Sequence, residues 1–130
     1  MRKILIITLI LIAIFISGCQ YATKTSDSKI RLINYSQTDC QGNEEVDQPN
    51  IVSKDIQNNV LTLVVELKSS CCMETKGVIK LLENNTIDLS YEYTSDEICN
   101  CICDYRLTYV IEGINNFEDY NYQIHGTILK

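Results

Sequence analysis

The chain has 130 residues, 11 basic against 17 acidic, a formal net charge of −6 and seven cysteines. That length gives one ordinary domain with a real core but not two. The acidic balance argues against nucleic acid and against docking on anionic headgroups as partners, and is that of a solubilising surface.

The chain opens with Met1-Arg2-Lys3, an apolar run from Ile4 to Ile16, and then Ser17-Gly18-Cys19. Two cations before about thirteen apolar residues make a signal-peptide layout, too short for a membrane span of about 20 residues. Ile16-Ser17-Gly18-Cys19 resembles a bacterial lipobox, in which the cysteine is lipidated and becomes the first mature residue. The resemblance implies that residues 1–18 are removed and that Cys19 carries two or three acyl chains, palmitate among them. One chain binds a membrane marginally, whereas two or more hold it stably. Loss of Arg2 and Lys3 leaves nine basic and 17 acidic residues, a mature charge of −8.

Residues 19–29 carry the lipidated cysteine and a polar tether, QYATKTSDSK, without apolar periodicity. Gln20 follows the cysteine, where an Asp would suggest inner-membrane retention, and the tether lacks an acidic surface-export cluster. The expected location is the bacterial envelope, in the outer membrane facing the periplasm. The membrane is then a partner through the lipid, and an envelope protein or ligand is the further partner to expect.

Residues 30–130 read as one β domain. Leu61, Leu63, Val65 and Leu67 alternate with Thr62, Val64, Glu66 and Lys68. Ile87, Leu89, Tyr91 and Tyr93 alternate with polar residues, as do Tyr105, Leu107, Tyr109 and Ile111, with Val110 as the exception. Tyr120, Tyr122, Ile124 and Ile128 share a face in the last segment. This is strand period. The pairs Asn58-Asn59, Asn84-Asn85 and Asn115-Asn116 suit tight hairpin turns, because Asn tolerates positive φ. Strands are expected near 30–37, 51–57, 60–68, 77–83, 86–94, 100–112 and 120–129, with loops at 38–50 and 69–76. About seven short strands favour an all-β, antiparallel two-sheet sandwich of Ig-like type. A small β-barrel is the alternative. The tyrosines read as core and rim packing rather than as a ligand platform.

Six cysteines remain beyond Cys19: Cys40, the pair Cys71-Cys72, and Cys99, Cys101 and Cys103. An even number in an exported domain implies disulfides. The last three lie at strand spacing and should point to one face, continuous with Tyr105 and Leu107. Neighbours two apart on a strand sit about 6.5–7 Å apart at Cα, near or beyond the bridgeable limit. They should therefore pair, in some order, with Cys40, Cys71 and Cys72. The alternative is a thiolate site for Cu or Zn built from Cys71, Cys72, Cys99, Cys101 and Cys103. Cys-x-Cys-x-Cys lacks the two-residue gap of structural zinc knuckles, and no Cys-x-x-Cys redox motif is present.

Other chemistry is sparse. The single histidine, His125, is expected on an outward strand face. There is no Gly-rich phosphate loop, no Gly-x-Ser-x-Gly and no His-Glu-x-x-His, so no cofactor and no catalytic residue is expected. Glu44, Glu45 and Asp47, with Asp39 nearby, lack EF-hand spacing and read as a solvated loop.

From about Asn58 onward the chain resembles uncharacterised small lipoproteins of Bacteroidota. The carrying segments are the strand into the Cys-Cys pair (Leu61–Cys72), the Asn84–Leu89 hairpin and the Cys-rich run Cys99–Gly113. The resemblance implies an envelope β protein and supplies no activity. The expected function is a lipid-anchored, disulfide-stapled, non-catalytic binding or structural module, with envelope metal binding as the alternative.

Overall fold

A computed structural model describes residues 30–41, 47–97 and 99–130. Within them eight strands form: β1 Arg31–Gln37, β2 Asn50–Gln57, β3 Val60–Ser70, β4 Thr75–Leu82, β5 Thr86–Tyr93, β6 Ile102–Glu112, β7 Asn121–Ile124 and β8 Thr127–Ile128. They make two four-stranded sheets, ordered β1-β6-β3-β2 and β4-β5-β7-β8. The sheets face each other as a sandwich and do not close into a barrel. The first is antiparallel throughout. The second is mixed, because β7 runs parallel to β5. Parallel neighbours need a crossover, and here the chain crosses through β6 of the opposite sheet.

The alternation of β3 appears directly as burial. Leu61, Leu63 and Val65 are fully buried and Leu67 nearly so, while Thr62, Val64 and Glu66 stay part-exposed. On β6, Tyr105, Leu107, Tyr109 and Ile111 face the same core. Their register sets Leu63 opposite Tyr109 and Val65 opposite Leu107. Ile87 and Leu89 of β5, with Tyr122 and Ile124 of β7, supply the second wall. Side chains at period two from two sheets thus interdigitate in one dry layer.

Two of the three Asn pairs are hairpin turns. Asn58 and Asn59 have φ of 52° and 65°, and Asn84 and Asn85 have 58° and 53°. Two successive positive φ values match the right-handed twist of the strands they join. The third pair behaves differently. Asn116 is extended, and its side chain accepts from the Glu118 amide, capping a 3-10 turn at Phe117–Asp119. The expected last strand is also split: His125 (φ 48°) and Gly126 (φ 77°) turn the chain between β7 and β8. The turn shifts the phase, so Ile128 is exposed and Leu129 is buried. His125 sits in this turn, exposed, with its ring edge-on to Tyr91 at 4.5 Å.

One sandwich edge is closed where β1 meets β4. The Tyr35 ring lies against Gly77, where an added Cβ would collide with the ring carbons. The Tyr35 hydroxyl is 2.6 Å from Thr75 Oγ1, and the ring packs edge-on to Tyr109 at 5.2 Å. Gly77 therefore serves close approach between sheets.

The buried tyrosines keep their hydroxyls at the margins of the core. Tyr109 donates to the Ser90 carbonyl at 3.2 Å, and Tyr105 to the Ser70 carbonyl at 3.0 Å. Burial, then the neighbouring Tyr35, Tyr91 and Asp88, raises the Tyr109 phenol far above its usual value. Burial and Tyr93 push Tyr91 up to about 12. A raised phenol stabilises the fold fully below the unfolded value of about 10 and loses that contribution as pH rises towards the folded value. Above pH ~10 the unfolded chain releases its proton while Tyr109 holds it, so this one group removes up to about 1.4 kcal/mol per pH unit. Tyr109→Phe should cost about 1 kcal/mol at pH 7 through the lost hydrogen bond. Its stability should then fall less steeply than wild type between pH 10 and 12, as read by urea unfolding. Equal slopes would contradict the assigned burial effect.

Candidate functional site

The cysteines meet at one end of the sandwich, around the start of β6. This strand lies between β1 and β3, so its entry is flanked by the exits of both. The β3–β6 ladder runs to Ser70 opposite Ile102, and the Cys71 amide then donates to the Cys101 carbonyl at 3.0 Å. One residue further along that register, Cys71 faces Cys101, and the two are bonded, with Cα atoms 5.4 Å apart. That is the spacing of an antiparallel hydrogen-bonded pair. Cys72 bonds Cys99 at 5.8 Å between Cα atoms. On the other side, the Gln41 amide donates to the Asp104 carbonyl at 3.0 Å, and Cys40 bonds Cys103 with Cα atoms 5.4 Å apart. All six cysteines of the domain are thus paired, each of the Cys99, Cys101, Cys103 set with one outside it.

The shared face expected for those three is only partly present. Cys103 lies within β6, is buried and continues the core face of Tyr105. Cys99 and Cys101 precede the strand, which begins at Ile102 rather than near residue 100. They lie half-buried and exposed respectively. The sulfurs of Cys71, Cys72 and Cys99 all lie within 4.8 Å of one another. This is the one group of three or more metal-ligating side chains close enough to share an ion among the described residues. As bonded sulfurs they are not thiolates.

Beside these bridges opens a cleft of about 640 Å³. Cys40, Cys71 and Cys72 form part of its wall, and Asp39, Glu74 and Glu97 give it three carboxylates. Among the described residues no Lys, Arg or His lines it. A thiolate gains stability from neighbouring cations and a helix N-terminus, and this cleft offers carboxylates instead. The floor is held by a chain of polar contacts: Gln37 donates to the Met73 carbonyl, and Thr75 Oγ1 donates to Gln37 Oε1 at 2.6 Å.

Two features escaped sequence reasoning. Asp104 alternates out of the core face, yet it is 2 % exposed, and its carboxylate has no partner among the described residues. The cleft itself depends on which loops meet, which no periodicity encodes. Of the other residues singled out, Asp39 is exposed at the cleft and Asp47 is exposed outside it. Cys19, Glu44 and Glu45 lie outside the described residues.

The chain matches no protein-family model, no curated protein and no solved structure.

Proposed function

We propose that the protein is a lipid-anchored envelope protein whose stapled β-sandwich is a non-catalytic binding or structural module. The observation that carries this reading is the convergence of three disulfides on one end, where they fix the loops around an open cleft. Pre-fixed loops bind without paying the ordering entropy of mobile ones. The carboxylates of that cleft, with no cation beside them among the described residues, favour neutral or cationic ligand groups over anionic ones. Disulfides also belong to an oxidising compartment, in keeping with the signal-peptide layout of the first eighteen residues. The outer membrane, periplasmic side, is the proposed station, on the strength of Gln20 after the lipid cysteine and a tether without an acidic export cluster, while the resemblance to Bacteroidota lipoproteins supports the envelope alone.

The anchor is tested at Cys19. Cys19→Ser should release the protein from membranes or leave it unprocessed, as read by fractionation and by mass of the mature chain. A processed Cys19→Ser protein still held in the membrane would refute the assignment.

A second reading is a Cu or Zn protein. The proximity of the Cys71, Cys72 and Cys99 sulfurs favours it, with Cys101 and Cys103 close by in sequence. It requires reduced cysteines, because thiolates and not disulfides bind such metals. Thiol counting with metal analysis on envelope-purified protein separates the two: four or more free thiols with stoichiometric copper or zinc would promote the metal reading.

A further inference from the structure

We propose that Cys71, Cys72, Cys99 and Cys101 form a thiol–disulfide exchange site open to an external thiolate, while Cys40–Cys103 is a permanent staple. The inference rests on the disulfides of the proposed function and goes beyond their structural role.

Its basis is a proximity between two bridges. Cys71 belongs to one disulfide and Cys72 and Cys99 to another, yet all three sulfurs lie within 4.8 Å of one another. Cys71 therefore stands beside a disulfide that is not its own, within a side-chain rotation of attacking distance. The bridges differ in the thiolate that attack would expel. Cys101 and Cys40 are both exposed, and Cys71, Cys72 and Cys99 are half-buried. Attack on Cys101 expels Cys71, which lines the cleft. Attack on Cys40 would instead expel Cys103, which is 6 % exposed and packs in the core, where apolar surroundings disfavour a thiolate and make it a poor leaving group. The cleft beside Cys71 and Cys72 leaves room for the movement.

The chemistry balances without any oxidant. An external thiolate attacks Cys101 Sγ; a mixed disulfide forms, the Cys71–Cys101 bond breaks, and Cys71 leaves as thiolate. Cys71 then attacks Cys99 Sγ; a Cys71–Cys99 bond forms, the Cys72–Cys99 bond breaks, and Cys72 leaves as thiolate and takes a proton from water. Attack on Cys72 instead would close a strained ring between adjacent residues, so Cys99 is the target. If the external group is a dithiol, its second thiol attacks the mixed disulfide and frees Cys101. The net result is one protein disulfide reduced and one dithiol oxidised.

The test uses the full chain purified without reductant. Cys101→Ser removes the first step and leaves one unpaired thiol. Peptide mapping after acid quench and alkylation should find that thiol shared between Cys71 and Cys72. Cys71–Cys99 should be present in at least about a tenth of molecules beside Cys72–Cys99. A thiol confined to Cys71, or a Cys71–Cys72 bridge, would overturn the proposal. Wild type treated with equimolar dithiothreitol gives a second reading that does not depend on the variant folding. Cys72 and Cys101 should be alkylated in molecules that carry Cys71–Cys99, with Cys40–Cys103 intact. Alkylation only as native pairs, or first opening of Cys40–Cys103, would overturn it. Thiol counting on untreated protein keeps the two readings apart. Six paired cysteines without exchange defeat this inference alone, and four or more free thiols defeat the staple on which it stands.

Discussion

Leu63→Ala and Leu107→Ala should each destabilise the domain by about 2–5 kcal/mol, the cost of removing buried methylenes and leaving a cavity. Both side chains are fully buried. They belong to β3 and β6, the two central strands of the first sheet, and each sits opposite another core residue, Tyr109 and Val65. A cavity here cannot be closed by moving an edge strand, which places the expected loss in the upper half of the range. For a domain of roughly 100 residues, each kcal/mol lowers Tm by about 4–8 °C, so the melting point should fall by more than 10 °C. Thr62→Ala and Thr108→Ala point away from the core and should cost far less, within about 0.5–1 kcal/mol. Thermal unfolding followed by circular dichroism under oxidising conditions checks the contrast. Equal losses for the inward and outward sets would mean that the facing of β3 and β6 is wrong.

That facing was legible in the sequence because period two carries it without reference to any partner. Leu61 to Leu67 and Tyr105 to Ile111 alternate over whole strands, and the structure buries those sets. Asn58-Asn59 and Asn84-Asn85 were legible for a similar reason: a pair of residues tolerant of positive φ between two alternating runs has few other uses. The same signal misled at Asn115-Asn116. There the next strand joins the other sheet, so no hairpin forms, and an Asn side chain capping a 3-10 turn looks no different in sequence. The end of the alternation was equally hidden. Tyr93 keeps the phase of Ile87 and Leu89 but is exposed, with Ser69 as its hydroxyl partner at 3.2 Å. Ile128 loses its expected place to Leu129 because His125-Gly126 inserts a turn.

The cysteine site was legible in its members and their grouping, not in its connectivity. Spacing disfavours bonds within Cys99, Cys101 and Cys103, but three partners can still be assigned in several orders. The choice is made by the ladder register that brings Cys71 opposite Cys101 and by the β1 extension that brings Cys40 to Cys103. Both are long-range facts. The cleft shares that origin: it exists only once the loops after β1, β3 and β5 have been brought to one end.

Full reduction should unfold or greatly loosen the domain. The three bridges close loops with sequence separations of 63, 30 and 27 residues. In the chain-entropy account each, taken alone, stabilises by about 3.5–4.5 kcal/mol, less any cost in the folded state. The three overlap, so their effects do not add. Even one bridge is nonetheless a large share of the roughly 5–15 kcal/mol that holds a typical domain. Loop length makes Cys40–Cys103 the strongest, and of its two ends Cys103 packs against the core while Cys40, like Cys101, is exposed. Replacing both members of a bridge by Ala removes the crosslink without leaving thiols to re-pair. The Cys40/Cys103 double variant should therefore lose more in urea unfolding than the Cys71/Cys101 or the Cys72/Cys99 double variant. It also unties β1, an edge strand that covers Gly77 and Tyr109 through Tyr35. Near-UV dichroism from these tyrosines should collapse on full reduction, while loss of Cys71–Cys101 or Cys72–Cys99 alone should leave much of it. A reduced protein that kept the native near-UV spectrum and melting point would show that the sandwich stands on its core alone, and the staple would then have no structural role.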